Sequence, residues 1–259
     1  MSLYIEESGT QGAPTIVFLH GSGTGRWMWT QQIADLADFH CINLDLPGHG
    51  KSLHDEWKSM ADTAVQVAEV IRSRATHQRA FVVGLSLGGY IALELAAHHP
   101  AQVATAIVSS VTSAPFPNPG ALKFQLNVIS RLKRFRWFSW LFVKSMRVPA
   151  DVTPVYVESF QTMSRTAFDR VGYEVLHYTL PAGIEQSSVP MLITAGGADA
   201  KPIVAAVTDL AARIPSAIGV IAPGLHHAWN GEDPALFSAM IRAVVTGVPL
   251  PPALQSITR

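Results

Sequence analysis

Short, largely apolar runs alternate along the chain with segments whose apolar residues recur every three or four positions. In the first run, residues 16–19 read Ile-Val-Phe-Leu, and runs of this kind return five more times. Continuous apolar runs are typical of strands buried on both faces, and the helical patterns between them are typical of crossover connections. The pattern therefore predicts a mostly parallel sheet flanked by helices. The six predicted strands span residues 14–19, 41–46, 80–84, 104–110, 189–195 and 218–222.

The segments between these strands predict amphipathic helices. Ser59 has the side chain of an N-cap, and Ala64, Val67 and Ile71 fall on one face of the helix that follows it. The helices predicted around the sheet span residues 61–73, 88–99, 202–214 and 234–245.

One region breaks this alternation, because no buried strand is evident from about residue 115 to residue 188. Prolines open the region, and three helical stretches follow them. These stretches span residues 121–146, 154–170 and 171–178. We interpret the region as a helical cap inserted between two strands of the core. The predicted core then comprises residues 1–114 and 189–259, and the predicted cap comprises residues 115–188.

Composition narrows the classes of function. The 259 residues include 19 Lys and Arg and 19 Asp and Glu, so the chain lacks the basic balance of a nucleic-acid-binding protein. The single cysteine, Cys41, excludes an internal disulfide, and its apolar neighbours predict a buried, unreactive thiol. Neither a signal peptide nor a membrane-spanning run is evident. We therefore expect a cytoplasmic protein without stable membrane insertion.

The strongest candidate for chemistry is a glycine-rich turn after the third predicted strand. Residues 84–89 read Gly-Leu-Ser-Leu-Gly-Gly, which matches the G-x-S-x-G pattern of a nucleophilic serine in the strand-to-helix context that the pattern requires. Such a turn lifts the hydroxyl of Ser86 clear of the sheet and leaves no room for side chains at Gly84 and Gly88. The helix that begins here directs backbone N–H groups at the site, which favours an oxyanion. We predict that Ser86 is the nucleophile.

A second glycine-rich turn follows the first predicted strand, where residues 20–23 read His-Gly-Ser-Gly. An N–H from a turn at this place, together with the N–H of the residue after the nucleophile, forms the oxyanion hole that accompanies such an elbow. We predict that the N–H groups of Ser22 and Leu87 form it, with Gly23 as the alternative to Ser22. His20 is interpreted as structural.

A serine hydroxyl is a weak nucleophile until a base takes its proton, and the base needs a carboxylate to fix its tautomer. With this kind of elbow the chain order is serine, acid, histidine. Asp199 lies on the loop after the fifth predicted strand, where the acid is expected. His226 and His227 lie on the loop after the sixth, so either could be the base.

Together these motifs make the sequence similar to the α/β-hydrolase superfamily, in the branch of small bacterial esterases, haloperoxidase-like hydrolases and carbon–carbon bond hydrolases. The similarity covers residues 3–113 and 189–247. The residues that carry it are His20, Gly21, Trp29, residues 45–52 (Asp-Leu-Pro-Gly-His-Gly-Lys-Ser), the elbow, residues 196–199, Glu232, Pro234 and Phe237. The resemblance implies an α/β-hydrolase fold with a helical cap inserted after the sixth strand of the family's sheet. It also implies structural roles for Asp45 and His49.

The resemblance also distinguishes between the two histidines. In the family's C-terminal pattern the catalytic histidine precedes an acidic residue by five positions and a proline by seven, and the counts back from Glu232 and Pro234 both lead to His227. His226 then stands where the family usually has glycine. The implied triad is Ser86, Asp199 and His227. It requires no metal ion and no organic cofactor, and the serine at the elbow argues against dehalogenase or epoxide hydrolase chemistry.

Three functions agree with these residues. The preferred hypothesis is a carboxylic ester hydrolase that acts on small to medium apolar esters through an acyl-enzyme. The first alternative is hydrolysis of a carbon–carbon bond in diketone-type substrates, because the core motifs do not separate the two reactions. The second is a ligand-binding receptor that keeps the triad but signals through its cap.

Residues 131–147 mix basic and aromatic side chains in the predicted cap. Such a helix can roof an active site with its apolar residues, or it can lie on a membrane surface. We interpret it as the roof of an apolar pocket and keep the membrane surface as the alternative.

Overall fold

The computed structural model describes residues 3–116, 119–146 and 148–257. Its strands are β1 (Ile5–Gly9), β2 (Thr15–Leu19), β3 (His40–Leu44), β4 (Ala80–Leu85), β5 (Val103–Ser109), β6 (Met191–Gly196), β7 (Ala217–Ala222) and β8 (Gln255–Ile257). They form one sheet in the order β1-β3-β2-β4-β5-β6-β7-β8. The first and last strands pair antiparallel at the two edges, and the six between them are parallel. The predicted fold, a mostly parallel sheet flanked by helices, is confirmed.

The four helices that the apolar periodicity predicts around the sheet are present, each within one residue of its predicted ends. Ser59 caps the helix after β3, because its hydroxyl oxygen accepts a hydrogen bond from the Asp62 N–H at 2.9 Å. The α-helices of the described residues are α1 (Thr30–Asp35), α2 (Met60–Arg74), α3 (Leu87–His98), α4 (Pro119–Leu132), α5 (Arg136–Ser145), α6 (Thr153–Thr162), α7 (Arg165–Leu176), α8 (Lys201–Arg213), α9 (Trp229–Glu232) and α10 (Pro234–Thr246). Within the described ranges, none of these helices combines the length and the hydropathy that a bilayer-spanning segment needs.

The sheet is apolar on both faces because helices cover both. Val17 and Leu19 of β2 point into the core that α2, α3 and α8 close, and Ile16 and Phe18 point into the core that α1 and α10 close. Cys41 lies in the second core, fully buried, and burial raises the pKa of its thiol to about 11. The expected buried thiol is therefore confirmed.

The two edge strands are absent from the predicted set. Four of the five residues of β1 are exposed, and β8 lies in the segment after the last helix, with two of its three residues exposed. β8 pairs with residues 219–221 of β7. Short, polar edge strands carry no buried apolar run, so only the neighbouring strand reveals them.

Four helices, α4 to α7, lie between β5 and β6. The prediction of one long helix over residues 121–146 is wrong, because α4 ends at Leu132 and α5 begins at Arg136. The Ser139 hydroxyl donates to the Lys133 carbonyl at 2.7 Å. This side-chain bond satisfies a carbonyl group that an unbroken helix would have bonded along its own backbone.

The predicted boundary between residues 154–170 and 171–178 is also wrong. α6 ends at Thr162, and Ser164 begins α7 as its N-cap, because the serine Oγ accepts from the Ala167 N–H at 3.1 Å. The hydrogen bond to the Ser164 hydroxyl therefore sets the start of α7 at Arg165, six residues before the predicted boundary. Pro117 and Arg147, two residues of the predicted cap, lie outside the described residues.

A buried lysine connects the end of α4 to the end of α6. Lys133 is 4% exposed, and its Nζ donates to the carbonyls of Phe160 at 2.7 Å, Gln161 at 3.1 Å and Met163. These carbonyls belong to the C-terminal end of α6, where helical carbonyls lack backbone partners and the helix dipole favours a cation. Burial lowers the pKa of Lys133 to about 8, which leaves the side chain mostly charged at neutral pH.

We expect Lys133→Met to lower the free energy of unfolding by about 2 kcal/mol, because it leaves the buried carbonyls of α6 without a donor. The measurement is urea-induced unfolding followed by circular dichroism. Lys123→Met is the matched control, since Lys123 is an exposed lysine of α4. Equal stability of the two variants would show that the three carbonyl bonds do not hold the insertion together.

Candidate active site

The turn between β4 and α3 holds Ser86 in an unusual backbone conformation, with φ +54° and ψ −115°. A Cβ atom at Gly84 would lie 2.1 Å from the Gly88 carbonyl oxygen, and one at Gly88 would lie 2.0 Å from the Leu19 carbonyl oxygen. Backbone approaches this close admit only glycine. The Ser86 N–H donates to the Ser109 carbonyl at 2.8 Å, which ties the turn to the neighbouring strand.

Two loops at the same edge of the sheet are bonded directly to each other. The loop after β6 donates from Gly197 N–H to the Ala222 carbonyl and from Ala198 N–H to the Leu225 carbonyl, each at 2.8 Å. Gly196 permits this approach, because a Cβ there would lie 2.3 Å from the Leu225 carbonyl oxygen. The loops that carry Asp199 and the two histidines are therefore held together by their backbones.

The structure pairs the adjacent histidines with different carboxylates. His227 Nδ1 lies 2.9 Å from Asp199 Oδ2, and Asp199 Oδ1 accepts from the Ala200 N–H at 2.7 Å. His226 Nδ1 lies 2.9 Å from Glu232 Oε2, and the His226 N–H donates to Glu232 Oε1 at 3.0 Å. The Asp199 side chain is 5% exposed and the His227 side chain 32% exposed, so a buried carboxylate orients an imidazole that remains accessible.

Ser86 and His227 line one cavity of about 360 Å³, which we call the first cavity. Among the described residues, no hydrogen bond joins the Ser86 hydroxyl to the His227 ring. Catalytic contacts are often longer in unliganded proteins and shorten when substrate binds.

Free backbone donors lie beside Ser86. The N–H groups of Leu87 and Ser22 donate to no protein group within the described ranges. Thr24 Oγ1 donates to the Gly21 carbonyl at 2.6 Å and fixes the turn that carries Ser22. Ser22 lines the first cavity together with Ser86. The predicted oxyanion donors therefore stand next to the candidate nucleophile.

Ser86 also lines a second cavity, of about 340 Å³, beneath the inserted helices. Ser22, Met146 and Tyr156 border both cavities, whereas His227 borders only the first and Leu87 only the second. The second cavity is lined mostly by apolar side chains, among them Phe116, Leu122, Ile129, Phe142, Phe168 and Val175, and Gln125 adds a polar one. The first also carries the polar side chains of Thr24, Gln31, Gln32, Asp151 and Asn230.

The polar residues that we interpreted as structural are buried and bonded. His20 Nδ1 bonds to the Gly21 carbonyl at 2.8 Å, and its Nε2 accepts from the Leu46 N–H at 2.9 Å. Asp45 accepts from the backbone N–H groups of Arg26 and Lys51. The rings of His20 and His49 meet edge to face 5.0 Å apart. Burial lowers the pKa of His49 to about 3 and also lowers the pKa of His20, which keeps both rings neutral.

Sequence reasoning missed the residues that brace the histidine loop. The Ser110 hydroxyl donates to the His227 carbonyl at 3.1 Å, and Ser110 has φ +58°. Trp229 Nε1 donates to Ser109 Oγ at 3.0 Å. Gln32 Nε2 donates to the Asn230 carbonyl at 2.9 Å. The sequence carries little signal for such contacts, because each joins segments more than a hundred residues apart.

Known proteins share sequence and fold with this chain. The sequence model of the alpha/beta hydrolase family matches residues 16–240. An esterase of Mycobacterium tuberculosis is 37% identical over 105 residues, which cover 39% of this chain and 34% of the esterase. A pimeloyl-[acyl-carrier protein] methyl ester esterase of Vibrio atlanticus is 36% identical over 115 residues, which cover 44% of this chain and 41% of that enzyme. The matched segments thus span well under half the length of these curated relatives.

Among solved structures, the enol-lactonase of Burkholderia xenovorans superimposes with a TM-score of 0.77 at 21% identity, over 94% of this chain and 96% of the lactonase. At that identity the likeness shows the fold. The family match extends over most of the chain. The chain therefore belongs to the alpha/beta hydrolase family.

Proposed function

We propose that this hydrolase cleaves carboxylic esters through an acyl-enzyme formed on Ser86, with His227 as the base and Asp199 as the acid that orients it. The observation that carries the proposal is the 2.9 Å contact between His227 Nδ1 and Asp199 Oδ2 beside the cavity that Ser86 lines. A carboxylate on Nδ1 leaves Nε2 as the nitrogen that accepts the serine proton.

The proposed reaction has two steps. Ser86 Oγ attacks the ester carbonyl while His227 takes its proton, and collapse of the tetrahedral intermediate returns that proton to the departing alcohol. Water, deprotonated by His227, then attacks the acyl-enzyme. Collapse of the second tetrahedral intermediate releases the carboxylic acid, and His227 returns the proton to Ser86 Oγ. Asp199 stays ionised and stabilises the imidazolium in both steps. The reaction balances without a redox partner or an added cofactor.

The oxyanion of each tetrahedral intermediate is proposed to bind the N–H groups of Leu87 and Ser22. Both donors lack a protein acceptor among the described residues, so neither must break a bond to receive the substrate oxygen. Ser22 is preferred to the alternative Gly23, because Ser22 borders both cavities at Ser86 and Gly23 borders neither.

The two cavities divide the proposed substrate at its ester bond. The alcohol oxygen must receive a proton from His227, which borders only the first cavity, so we place the alcohol group there. The acyl chain then extends into the second, apolar cavity beneath the inserted helices. A cavity of about 340 Å³ is at the small end of ligand sites, which supports a short to medium acyl chain.

The names of similar proteins support ester chemistry. An esterase and a methyl ester esterase share sequence with this chain, and an enol-lactonase, whose name denotes a cyclic ester, shares its fold. These likenesses support hydrolysis of an ester bond as the reaction class.

Ser86→Ala is expected to lower kcat/KM on p-nitrophenyl butyrate by a factor on the order of 10⁴ or more, because no other group can form the acyl-enzyme. Ser22→Ala is the matched control: it removes a second hydroxyl at the same cavity but keeps the backbone N–H, so we expect a change within about fivefold. The measurement is steady-state hydrolysis with both variants checked by thermal unfolding.

The adjacent histidines supply a second control for the same prediction. His227→Gln is expected to match the loss in Ser86→Ala, and His226→Gln is expected to keep most activity, because Glu232 holds His226 away from Asp199. Full activity of Ser86→Ala would overturn the proposal. Turnover of a vinylogous diketone by the wild type, with none on any ester, would favour carbon–carbon hydrolysis instead.

The proposed division of the substrate predicts that a valine-to-phenylalanine substitution changes the acyl preference in the second cavity and the alcohol preference in the first. Val175→Phe narrows the second cavity and is expected to shift the preferred p-nitrophenyl ester to a shorter acyl chain. Each buried methylene that no longer fits costs about 0.8 kcal/mol, or roughly fourfold in kcat/KM. Activity on the acetate should stay near that of the wild type.

Val155→Phe is the matched control, because Val155 borders the first cavity and is absent from the lining of the second. This variant should keep the acyl-length profile and discriminate against bulky alcohol groups in a series of butyrate esters. The reverse result, with Val155→Phe shortening the preferred acyl chain, would show that the acyl and alcohol sides are exchanged.

A further inference from the structure

The helices α4 and α5 carry charge of one sign in a chain that is otherwise balanced. Residues 119–146 contain six Lys and Arg and no Asp or Glu, whereas the whole chain has 19 of each class. Five of the six basic side chains are exposed, and the sixth, Lys133, is the buried lysine that connects α4 to α6. This part of the surface is therefore strongly positive, and its positive charges have no acidic neighbours along the chain.

Helix α5 is apolar on two opposite sides. Phe142 faces inward and borders the second cavity. Trp137, Trp140 and Leu141 face outward and are 61%, 45% and 54% exposed. With Lys144 these outward residues follow the i, i+3, i+4, i+7 spacing of one helix face. The inner side of α5 thus covers the second cavity, as the sequence predicts. The outer side of α5 is exposed and packs against no other helix among the described residues.

The outward residues and the positive charges form one continuous surface, which we call the aromatic-basic face. Its members are Arg134, Phe135, Arg136, Trp137, Trp140, Leu141 and Lys144. The Lys144 ammonium lies 4.4 Å from the ring centroid of Trp140, and the Arg134 guanidinium lies 4.6 Å from that of Phe135. The rings of Phe135 and Trp137 stack 6.5 Å apart. The adjoining helix α6 contributes a single acidic residue, Glu158.

We propose that the aromatic-basic face binds the surface of a lipid bilayer that contains anionic phospholipids. Exposed tryptophan is costly in water and favourable at the depth of the headgroups, where its ring is apolar and its N–H is hydrated. Basic side chains beside it bind anionic headgroups. Of the other four tryptophans, Trp29, Trp57 and Trp229 are at most 1% exposed and Trp27 is half-buried, so Trp137 and Trp140 are the two that stand out in water.

The position of the face relative to the cavities agrees with a lipid surface. Phe142 and Met146 border the second cavity from the inner side of α5, so a bilayer on the outer side would lie one helix away from the site proposed for the acyl chain. An apolar ester would then reach that cavity from the bilayer. This consequence rests on the proposed function, whereas the binding itself does not depend on Ser86.

The experiment is co-sedimentation of the 259-residue chain with vesicles of phosphatidylcholine alone and of phosphatidylcholine mixed with phosphatidylglycerol. We expect binding to the mixed vesicles that weakens as salt is added. Trp137→Ser combined with Trp140→Ser should abolish it. Arg134→Gln combined with Lys144→Gln should weaken it roughly 25-fold, at about fivefold for each charge.

Matched double variants on the core test whether the location matters. Val65→Ser with Ile218→Ser removes two apolar side chains of similar exposure, 55% and 56%. Lys58→Gln with Arg72→Gln removes two exposed positive charges. Neither should change binding. Brominated phospholipid should quench the tryptophan emission of the wild type but not that of the double tryptophan variant, and thermal unfolding should be the same for all variants.

Several results would overturn the proposal. Absence of vesicle binding, or equal binding to vesicles with and without phosphatidylglycerol, would remove the anionic bilayer as the partner. Undiminished binding by the double tryptophan variant would show that the aromatic-basic face is not the contact. Tighter binding to soluble polyglutamate than to mixed vesicles would assign the face to an acidic protein. A loss of ester hydrolysis in Ser86→Ala has no bearing on these outcomes.

Discussion

Ser86 holds a backbone φ of +54° because the chain turns from β4 into α3 within a space that admits no side chain at Gly84 or Gly88. This steric constraint fixes where the hydroxyl can be, at the carboxyl edge of the sheet and beside the first free N–H of the helix. Every other group of the proposed site must be brought to that point. The backbone bonds between the loops after β6 and β7 do so for Asp199 and His227.

The carboxylates beside the two histidines and the first turn bond to separate groups. Asp199 bonds to His227, Glu232 bonds to His226, and Asp45 bonds to the backbone N–H groups of Arg26 and Lys51 and to the Arg26 guanidinium. Burial lowers the pKa of His20 and keeps its ring neutral. The ring therefore connects the turn after β2, through the Gly21 carbonyl, to the turn after β3, through the Leu46 N–H. This assignment leaves one imidazole that is both oriented by a carboxylate and open to a cavity, which is the arrangement that proton transfer to and from a substrate needs.

The inserted helices contribute surfaces on both of their sides. Inward, they close an apolar cavity next to Ser86, and Lys133 fixes the geometry of two of them through the carbonyls of α6. Outward, α5 exposes the aromatic-basic face. A helix that is apolar on one side only would fold equally well here, so the second apolar side requires an explanation other than stability.

The sequence by itself determined the buried strands, the helices around the sheet and the glycine-rich turn at Ser86. These follow from local rules, because burial on both faces demands apolar runs and a tight turn demands glycine. Asp199 and the two histidines became candidates from their places after two strands, and the resemblance to the family favoured His227. The edge strands, the break between α4 and α5 and the start of α7 were decided by hydrogen bonds that local periodicity does not carry. Only the tertiary structure paired His227 with Asp199 and turned Trp137 and Trp140 outward, because those outcomes depend on contacts between segments distant in the chain.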